Sequence, residues 1–206
     1  MIGKDIFNSI ENIQKIIIQN KEEIEKLDQQ IGDGDHIFNI IRGLEAVSQL
    51  QESLIEKPID QIFKQLGMKI MTTVGGSSGA LFATLLIGMA KKYNTKSSDI
   101  QNIADMFTEG IEEMKKRGKA DSGEKTMLDV LIPVSKTLNE FKDENNNKII
   151  AEKVKKIAET AMLSTKDMLA TKGRASFLGE RSKGHIDPGA RSSQLAIDAI
   201  CNQFIN

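Results

Sequence analysis

The sequence is poor in cysteine and carries almost no excess of charge. Cys201 is the single cysteine among 206 residues, which excludes a disulfide within the chain and a zinc site built from several thiolates. It falls in the apolar register of the last predicted helix, so we expect a buried core residue. The 28 basic and 29 acidic residues leave a formal charge of −1, whereas binding to nucleic acid or to anionic membranes needs a basic excess. Neither class of partner is expected.

Long hydrophobic runs are also lacking. No segment of about 18 consecutive apolar residues occurs, so no membrane-spanning helix is expected. Met1 leads directly into an amphipathic pattern instead of a charged and apolar signal segment. The sequence therefore predicts a soluble, unprocessed, cytoplasmic protein. Its length fits one domain, residues 1–206.

Apolar residues do recur at helical spacing along most of the chain. Between Ile100 and Met114 they follow the i, i+3, i+4, i+7 rule, and Ser98 precedes that segment as a candidate N-cap. No segment alternates with a period of two, so the sequence predicts an all-α fold. We expect eight helices, over residues 4–27, 37–56, 58–72, 78–92, 99–117, 125–142, 148–172 and 190–204.

The glycines gather in four of the segments between predicted helices. We name these segments loop A (27–36), loop B (74–79), loop C (118–127) and loop D (172–189). They follow the first, third, fifth and seventh predicted helices, and the other connections are plainer. In an up-and-down bundle such loops lie at the same end. The alternation predicts one functional end.

Loop A places Asp28, Asp33 and Asp35 among glycines, which suits a hard cation with oxygen ligands. An EF-hand fails on register. Counted from Asp33, the sixth position is Phe38 and the twelfth is Leu44, where glycine and a bidentate glutamate are needed. Magnesium shared with phosphates is the better cation. A polar loop whose aspartates cap the next helix remains an equal alternative.

Loop B runs through Ser77 and Ser78 straight into an apolar segment. Backbone N–H groups at such a helix start bind anions. A turn with a serine N-cap would give the same pattern, and the residues alone leave both readings open.

Loop C resembles a phosphate-binding P-loop but departs from it. Glu124 stands where a lysine must follow the second glycine, and no strand precedes the loop. We therefore exclude a Walker A motif.

Loop D carries four basic side chains, Lys172, Arg174, Arg181 and Lys183. Each could neutralise phosphate oxygens, but a solvated surface charge is the favoured interpretation of each one taken alone. Their clustering opposite the aspartates of loop A favours the phosphate role.

The two histidines, His36 and His185, lie in loops A and D. A phosphohistidine or general-base role is conceivable because imidazole titrates near neutral pH. A hydrogen-bonding role toward ligand or backbone is the favoured interpretation.

Together, Leu27–His36, Val74–Gly79, Gly118–Met127 and Lys172–Gly189 resemble the nucleotide-binding L subunits of dihydroxyacetone kinases. The four motifs occur in the family's order and span nearly the whole chain. One departure is Ile37, where the family more often has glycine. The resemblance implies an antiparallel eight-helix barrel or bundle with the nucleotide across one open end.

The resemblance also implies the roles of individual residues. Asp28, Asp33 and Asp35 correspond to ligands of two Mg²⁺ ions that bridge nucleotide phosphates, and Asp33 and Arg174 correspond to catalytic positions. The implied nucleotide contacts are His36, Ile37, Phe38, Asn39, Ser77, Ser78, Gly118, Met127, Arg174, Asp187, Pro188 and Gly189.

The family implies a phosphoryl relay. ADP serves as a coenzyme, a phosphohistidine carrier (subunit M of a phosphotransferase system) converts it to ATP, and the γ-phosphoryl passes to dihydroxyacetone on a partner K subunit. Two alternatives stay open: the L domain of an ATP-dependent kinase with another acceptor, such as fatty-acid kinase, and a nucleotide-sensing module without catalysis.

Overall fold

The computed structural model describes residues 2–205, and this part of the chain is helical without strands. Ten α-helices and two 3₁₀ helices make up the described fold. The α-helices are α1 Gly3–Gln19, α2 Lys21–Ile31, α3 His36–Ser48, α4 Gln51–Leu54, α5 Ile59–Thr73, α6 Gly76–Lys92, α7 Asp99–Gly118, α8 Leu128–Glu140, α9 Asn147–Ser164 and α10 Pro188–Ile205. The 3₁₀ helices are Thr165–Asp167 and Arg174–Ser182. None of the described helices combines the length and apolar composition that a bilayer crossing requires.

The all-α prediction is confirmed, but several predicted helices are divided or shortened. The first predicted helix breaks at Asn20, whose side-chain amide donates to the carbonyl of Ile16 at 2.8 Å and so ends α1. The second divides into α3 and α4. The seventh ends at Ser164 because the hydroxyls of Ser164 and Thr165 donate to carbonyls of the last turn. A 3₁₀ helix lies where loop D was expected to be irregular.

The helices contact one another in a cyclic order. From α5 to α10 each helix packs against the next, α10 packs against α1, and α3 packs against both α1 and α5. The α6–α7 contact is close because both helices have glycine there: a Cβ at Gly88 would lie 2.9 Å from the Cα of Gly110. The short connections between adjacent long helices make neighbours antiparallel and bring alternate loops to the same end.

The core consists mainly of the inward stripes of α7 to α10, with smaller clusters between α1, α2, α3 and α5. Cys201 is buried in the main cluster as expected, and burial raises the pKa of its thiol to about 12. Ser98 caps α7 by accepting from the backbone N–H of Gln101, which confirms the predicted N-cap.

Candidate functional site

The four glycine-rich loops meet at one end of the fold, as their alternation predicts. Loops A and D are joined by the ion pair between Arg174 Nη2 and Asp33 Oδ2, 2.7 Å apart. Loop B lies beside the start of α3, because a Cβ at Gly76 would be 3.6 Å from the side-chain nitrogen of Asn39. Loop C joins the segment before loop D where the N–H of Thr171 donates to the Glu124 carbonyl at 3.3 Å. Residues distant in sequence therefore share one surface.

Three carboxylates of loop A form the candidate metal centre. Oxygens of Asp28, Asp33 and Asp35 all lie within 4.8 Å of one another. Asp28 is buried at the base of the cluster, and the other two are exposed. Gly32 makes the cluster possible, because a Cβ there would overlap the Asp28 carboxylate. An all-oxygen donor set of this size, open on one side, fits Mg²⁺ shared with phosphate oxygens.

The alternative interpretation was that these aspartates only cap the next helix. One carboxylate oxygen, on Asp28, has that role. Asp28 Oδ2 accepts from the backbone N–H of His36 at 3.0 Å, at the first position of α3. Asp35 is the N-cap residue, yet its side chain makes no capping bond. Capping therefore explains one of the three carboxylates.

Arg174 is the counter-charge of the cluster in this structure. Its side chain is 68% exposed and that of its partner Asp33 is 34% exposed. Ion pairs with this exposure contribute about 0.2–1 kcal/mol. A divalent cation can therefore take over Asp33 at small cost, which leaves the guanidinium free to bind a phosphate.

His36 connects loop A to the start of α10. Its Nε2 lies 3.0 Å from Ser192 Oγ, and that hydroxyl is 3.1 Å from the carbonyl of Gly189. Burial lowers the pKa of His36 despite the opposing charges of Asp28 and Asp35. A neutral, buried imidazole with a fixed partner suits hydrogen bonding. His185 also makes a hydrogen bond, from Nδ1 to Gln30 Oε1 at 3.1 Å.

Loop B opens α6 without a side-chain cap. Gly75 is the N-cap residue, so Ser77 and Ser78 are the second and third residues of the helix. The alternative of a serine N-cap is therefore wrong. The first backbone N–H groups of an α-helix lack intrahelical partners, and the N-cap residue Gly75 has no side chain that could accept from them. This is the arrangement that binds anions at helix starts.

Loop C and the turn Asp187–Gly189 face each other. A Cβ at Gly189 would be 3.4 Å from Cε of Met127, and one at Gly118 would be 3.1 Å from Cδ2 of Leu81. Asp187 is buried and accepts from the Ala190 N–H at 2.7 Å. Burial raises the pKa of this carboxyl to about 7. Pro188, the middle residue of this turn, is the first residue of α10.

Two further predicted site residues, Ile37 and Phe38, follow His36 in α3 and differ in exposure. Ile37 is fully buried against Ile17, Ile24 and Leu195, so only its backbone is available to a ligand. Phe38 is exposed, and the ammonium of Lys21 lies 5.0 Å from its ring centroid.

The basic residues of loop D differ in their ion-pair partners. Lys172 and Lys183 pair with Glu124 and Glu180. Of the four, Arg174 is the one with a described ion pair to loop A.

The structure adds polar residues that the sequence reading missed. Lys125, Asp129 and Thr165 are buried beneath loops C and D, and Ser192 holds His36. Lys125 lies within loop C and Asp129 just beyond it, and charged side chains at such positions predict exposure to solvent and not burial. Ser192 precedes most of the apolar residues of the last predicted helix by a few positions, and nothing local in the sequence distinguishes it from Ser193.

Comparison with known proteins agrees with this arrangement. Residues 30–202 match the model of the DAK2 domain family. A PEP-dependent dihydroxyacetone kinase ADP-binding subunit, DhaL, from Listeria innocua is 42% identical over 88% of this chain and 87% of its own length. The DhaL subunit of Escherichia coli is 40% identical over 95% of this chain and 94% of its length. The chain belongs to the DhaL family.

Solved structures support the fold of this family member. The dihydroxyacetone kinase of C. freundii superposes with a TM-score of 0.75 at 20% identity, covering 96% of this chain and 34% of that kinase. A second structure of that enzyme, in complex with AMP-PNP and Mg²⁺, gives a TM-score of 0.74 at 21% identity. The chain thus spans about a third of that kinase.

We expect Gly32→Ala to weaken binding of Mg²⁺ with ADP by about tenfold or more, because the new Cβ displaces the Asp28 carboxylate. The backbone at Gly32 has a negative φ, so the substitution adds no left-handed strain. Isothermal titration measures the affinity, and Gln29→Ala, exposed in the same segment, is the control. Unchanged affinity in Gly32→Ala would show that Asp28 is not a ligand.

We expect Asp187 to make the stability of the ligand-free protein depend on pH. The folded state keeps this proton up to about pH 7, while the unfolded chain loses it near the ordinary value of 3.8. The free energy of unfolding is therefore unaffected by this group below about pH 4 and decreases as the pH rises to about 7, by roughly 4 kcal/mol at most. In urea unfolding, the free energy of unfolding of wild type minus that of Asp187→Asn should become more negative from pH 4 to pH 7, because asparagine cannot ionise. Asp143→Asn, exposed, is the control, and a constant difference for Asp187→Asn would contradict the expectation.

Proposed function

We propose that this chain is the nucleotide-carrying subunit of a phosphotransferase-dependent dihydroxyacetone kinase. The observation that carries the proposal is its match to ADP-binding DhaL subunits along 87–94% of their length. In this function ADP stays bound as a coenzyme and accepts a phosphoryl group from a phosphohistidine carrier. The γ-phosphoryl then passes to dihydroxyacetone on a K subunit.

The carboxylate cluster supports a magnesium site in this function. Asp28, Asp33 and Asp35 would hold two Mg²⁺ ions, and Gly32 leaves room for the innermost carboxylate. Bound there, the ions would neutralise phosphate charge and orient the β- and γ-phosphates.

The polyphosphate would lie between loops A, B and D. The free N–H groups at the start of α6, beside Ser77 and Ser78, supply donors for phosphate oxygens. Arg174 reaches the same region from loop D and supplies a planar cation for the transferred group. Phosphoryl transfer requires mainly positioning and charge neutralisation, and these groups provide both.

The nucleoside would be held by the remaining contacts. His36 and Asn39 are buried polar side chains at the start of α3, and the backbone of Ile37 and the side chain of Phe38 flank them. We place Gly118, Met127 and the turn Asp187–Pro188–Gly189 on the opposite side of the nucleotide. The close approach of Met127 to Gly189 supports a shared contact surface there.

The acceptor is proposed to come from the partner subunit. At this end of the described structure the available groups are charged or form hydrogen bonds. Such groups fit a metal and a polyphosphate. The carrier and the K subunit would therefore use this end in turn, because both must reach one phosphate.

The proposed architecture is one domain over residues 1–206, with eight principal helices closed into a barrel. The cyclic contact order of α1, α3 and α5 to α10 supports the closure, and α2 and α4 extend two of these helices. The phosphate-binding loops then lie around one rim.

We expect Asp33→Ala to abolish phosphoryl transfer. Loss of residues that merely support a metal ligand costs about 10–100-fold, so loss of a direct ligand should lower kcat/KM by more than about 100-fold. The assay combines this chain with a K subunit, a phosphohistidine carrier and dihydroxyacetone, and follows dihydroxyacetone phosphate. Asp143→Ala, exposed in the connection between α8 and α9, should retain wild-type activity.

Two results would contradict the proposal. Wild-type activity of Asp33→Ala would remove the metal role of loop A. Full activity with free ATP and no phosphocarrier would replace the relay with an ATP-dependent kinase.

A further inference from the structure

Lys125 is the largest side chain that the described fold buries almost completely, with 1% of its surface exposed. Its ammonium donates to two backbone carbonyls, those of Thr165 and His185. No carboxylate among the described residues forms an ion pair with it. Burial lowers the pKa of Lys125, with Asp187 the first of the acidic groups that oppose the shift. The hydrogen-bond acceptors of this buried ammonium are therefore neutral carbonyls, although acidic groups lie near enough to act on it.

This arrangement is unfavourable for stability alone. A buried ammonium loses its hydration, and an apolar side chain of similar size would fill the space without that cost. Lys125 also has a φ of +60°, which is rare outside glycine. Proteins retain such backbone strain mainly at binding and catalytic sites. Lys125 combines it with a buried charge.

The contacts of Lys125 tie together segments that belong to different loops. Its backbone lies in loop C, where Asp129 accepts from the N–H groups of Gly123 and Thr126 and fixes the chain on both sides of it. Thr165, one of its two acceptors, also receives the N–H of Asp187 on its hydroxyl at 3.1 Å. One ammonium thus sets the distance between loop C and the turn that opens α10.

We infer that Lys125 is a positioning residue for the nucleotide: it holds Met127 in loop C and the Asp187–Gly189 turn in register so that both contact the bound ADP. The inference rests on the proposed function, because the ligand is the nucleotide proposed there. Lys125 acts through the backbone of its neighbours and does not touch the phosphates itself. Its loss should therefore weaken nucleotide binding more than the transfer step.

The test uses the variants Lys125→Met and Lys125→Arg, with Lys166→Met as the control. Lys166 is an exposed lysine next to Thr165 and has no role in the proposed site. For Lys125→Met we expect the Kd for ADP with Mg²⁺ to rise at least about tenfold, as for other residues that support a binding site. Reconstituted transfer that starts from nucleotide-free protein should need a higher concentration of added ADP for half-maximal rate, with kcat at saturating ADP within about twofold of wild type. Lys125→Arg, which keeps the donor charge, should fall between Lys125→Met and wild type.

Hydrogen exchange gives a local readout that does not need activity. In ligand-free Lys125→Met the amides of Asp187 and Ala190 should exchange faster, while those of α6 stay unchanged. Unchanged exchange at Asp187 and Ala190, or a Kd within about twofold of wild type, overturns the inference. So does failure of both Lys125 variants to fold, since the residue would then serve the core. If wild type binds no ADP, the proposed function fails, and the exchange data still decide whether Lys125 holds the turn.

Discussion

Three carboxylates held within 4.8 Å of one another are the constraint on which the functional end depends. At that separation each pair of ionised groups repels by on the order of 3 kcal/mol in the effective dielectric of a protein surface. The fold must therefore supply positive charge at this place. Arg174 supplies it in the present structure, across the contact between loops A and D. A divalent cation supplies it better, because the exposed arginine contributes little.

Convergence of four loops follows from the same constraint and from the helix arrangement. Consecutive helices run up and down, so every second connection reaches the same end. The carboxylates of loop A then share one end of the fold with the start of α6, and Asp33 pairs with the guanidinium of Arg174. Carboxylates and a guanidinium therefore lie side by side at this end, and in the proposed function they would supply the preorganised electrostatic setting that phosphoryl transfer needs.

The sequence allowed prediction of the helical class, the four loops and their common end, because periodicity and glycine placement are local signals. It did not allow prediction of the break at Asn20 or the early end of α9. Those depend on side chains that bond to the backbone instead of continuing the helix. The role of Lys125 was also missed, since its acceptors are 40 and 60 residues away along the chain. Ile37 shows a related limit, because burial in the core is set by distant α10 residues such as Leu195.

The most direct measurement is the nucleotide and metal content of the protein as purified. Native mass spectrometry would identify a retained nucleotide, and elemental analysis of the same sample would count magnesium. We predict one ADP per chain with two Mg²⁺ ions, and we expect chelation of the metal to release the nucleotide as well. A protein that carries no nucleotide and does not bind ADP in the presence of millimolar magnesium would contradict it.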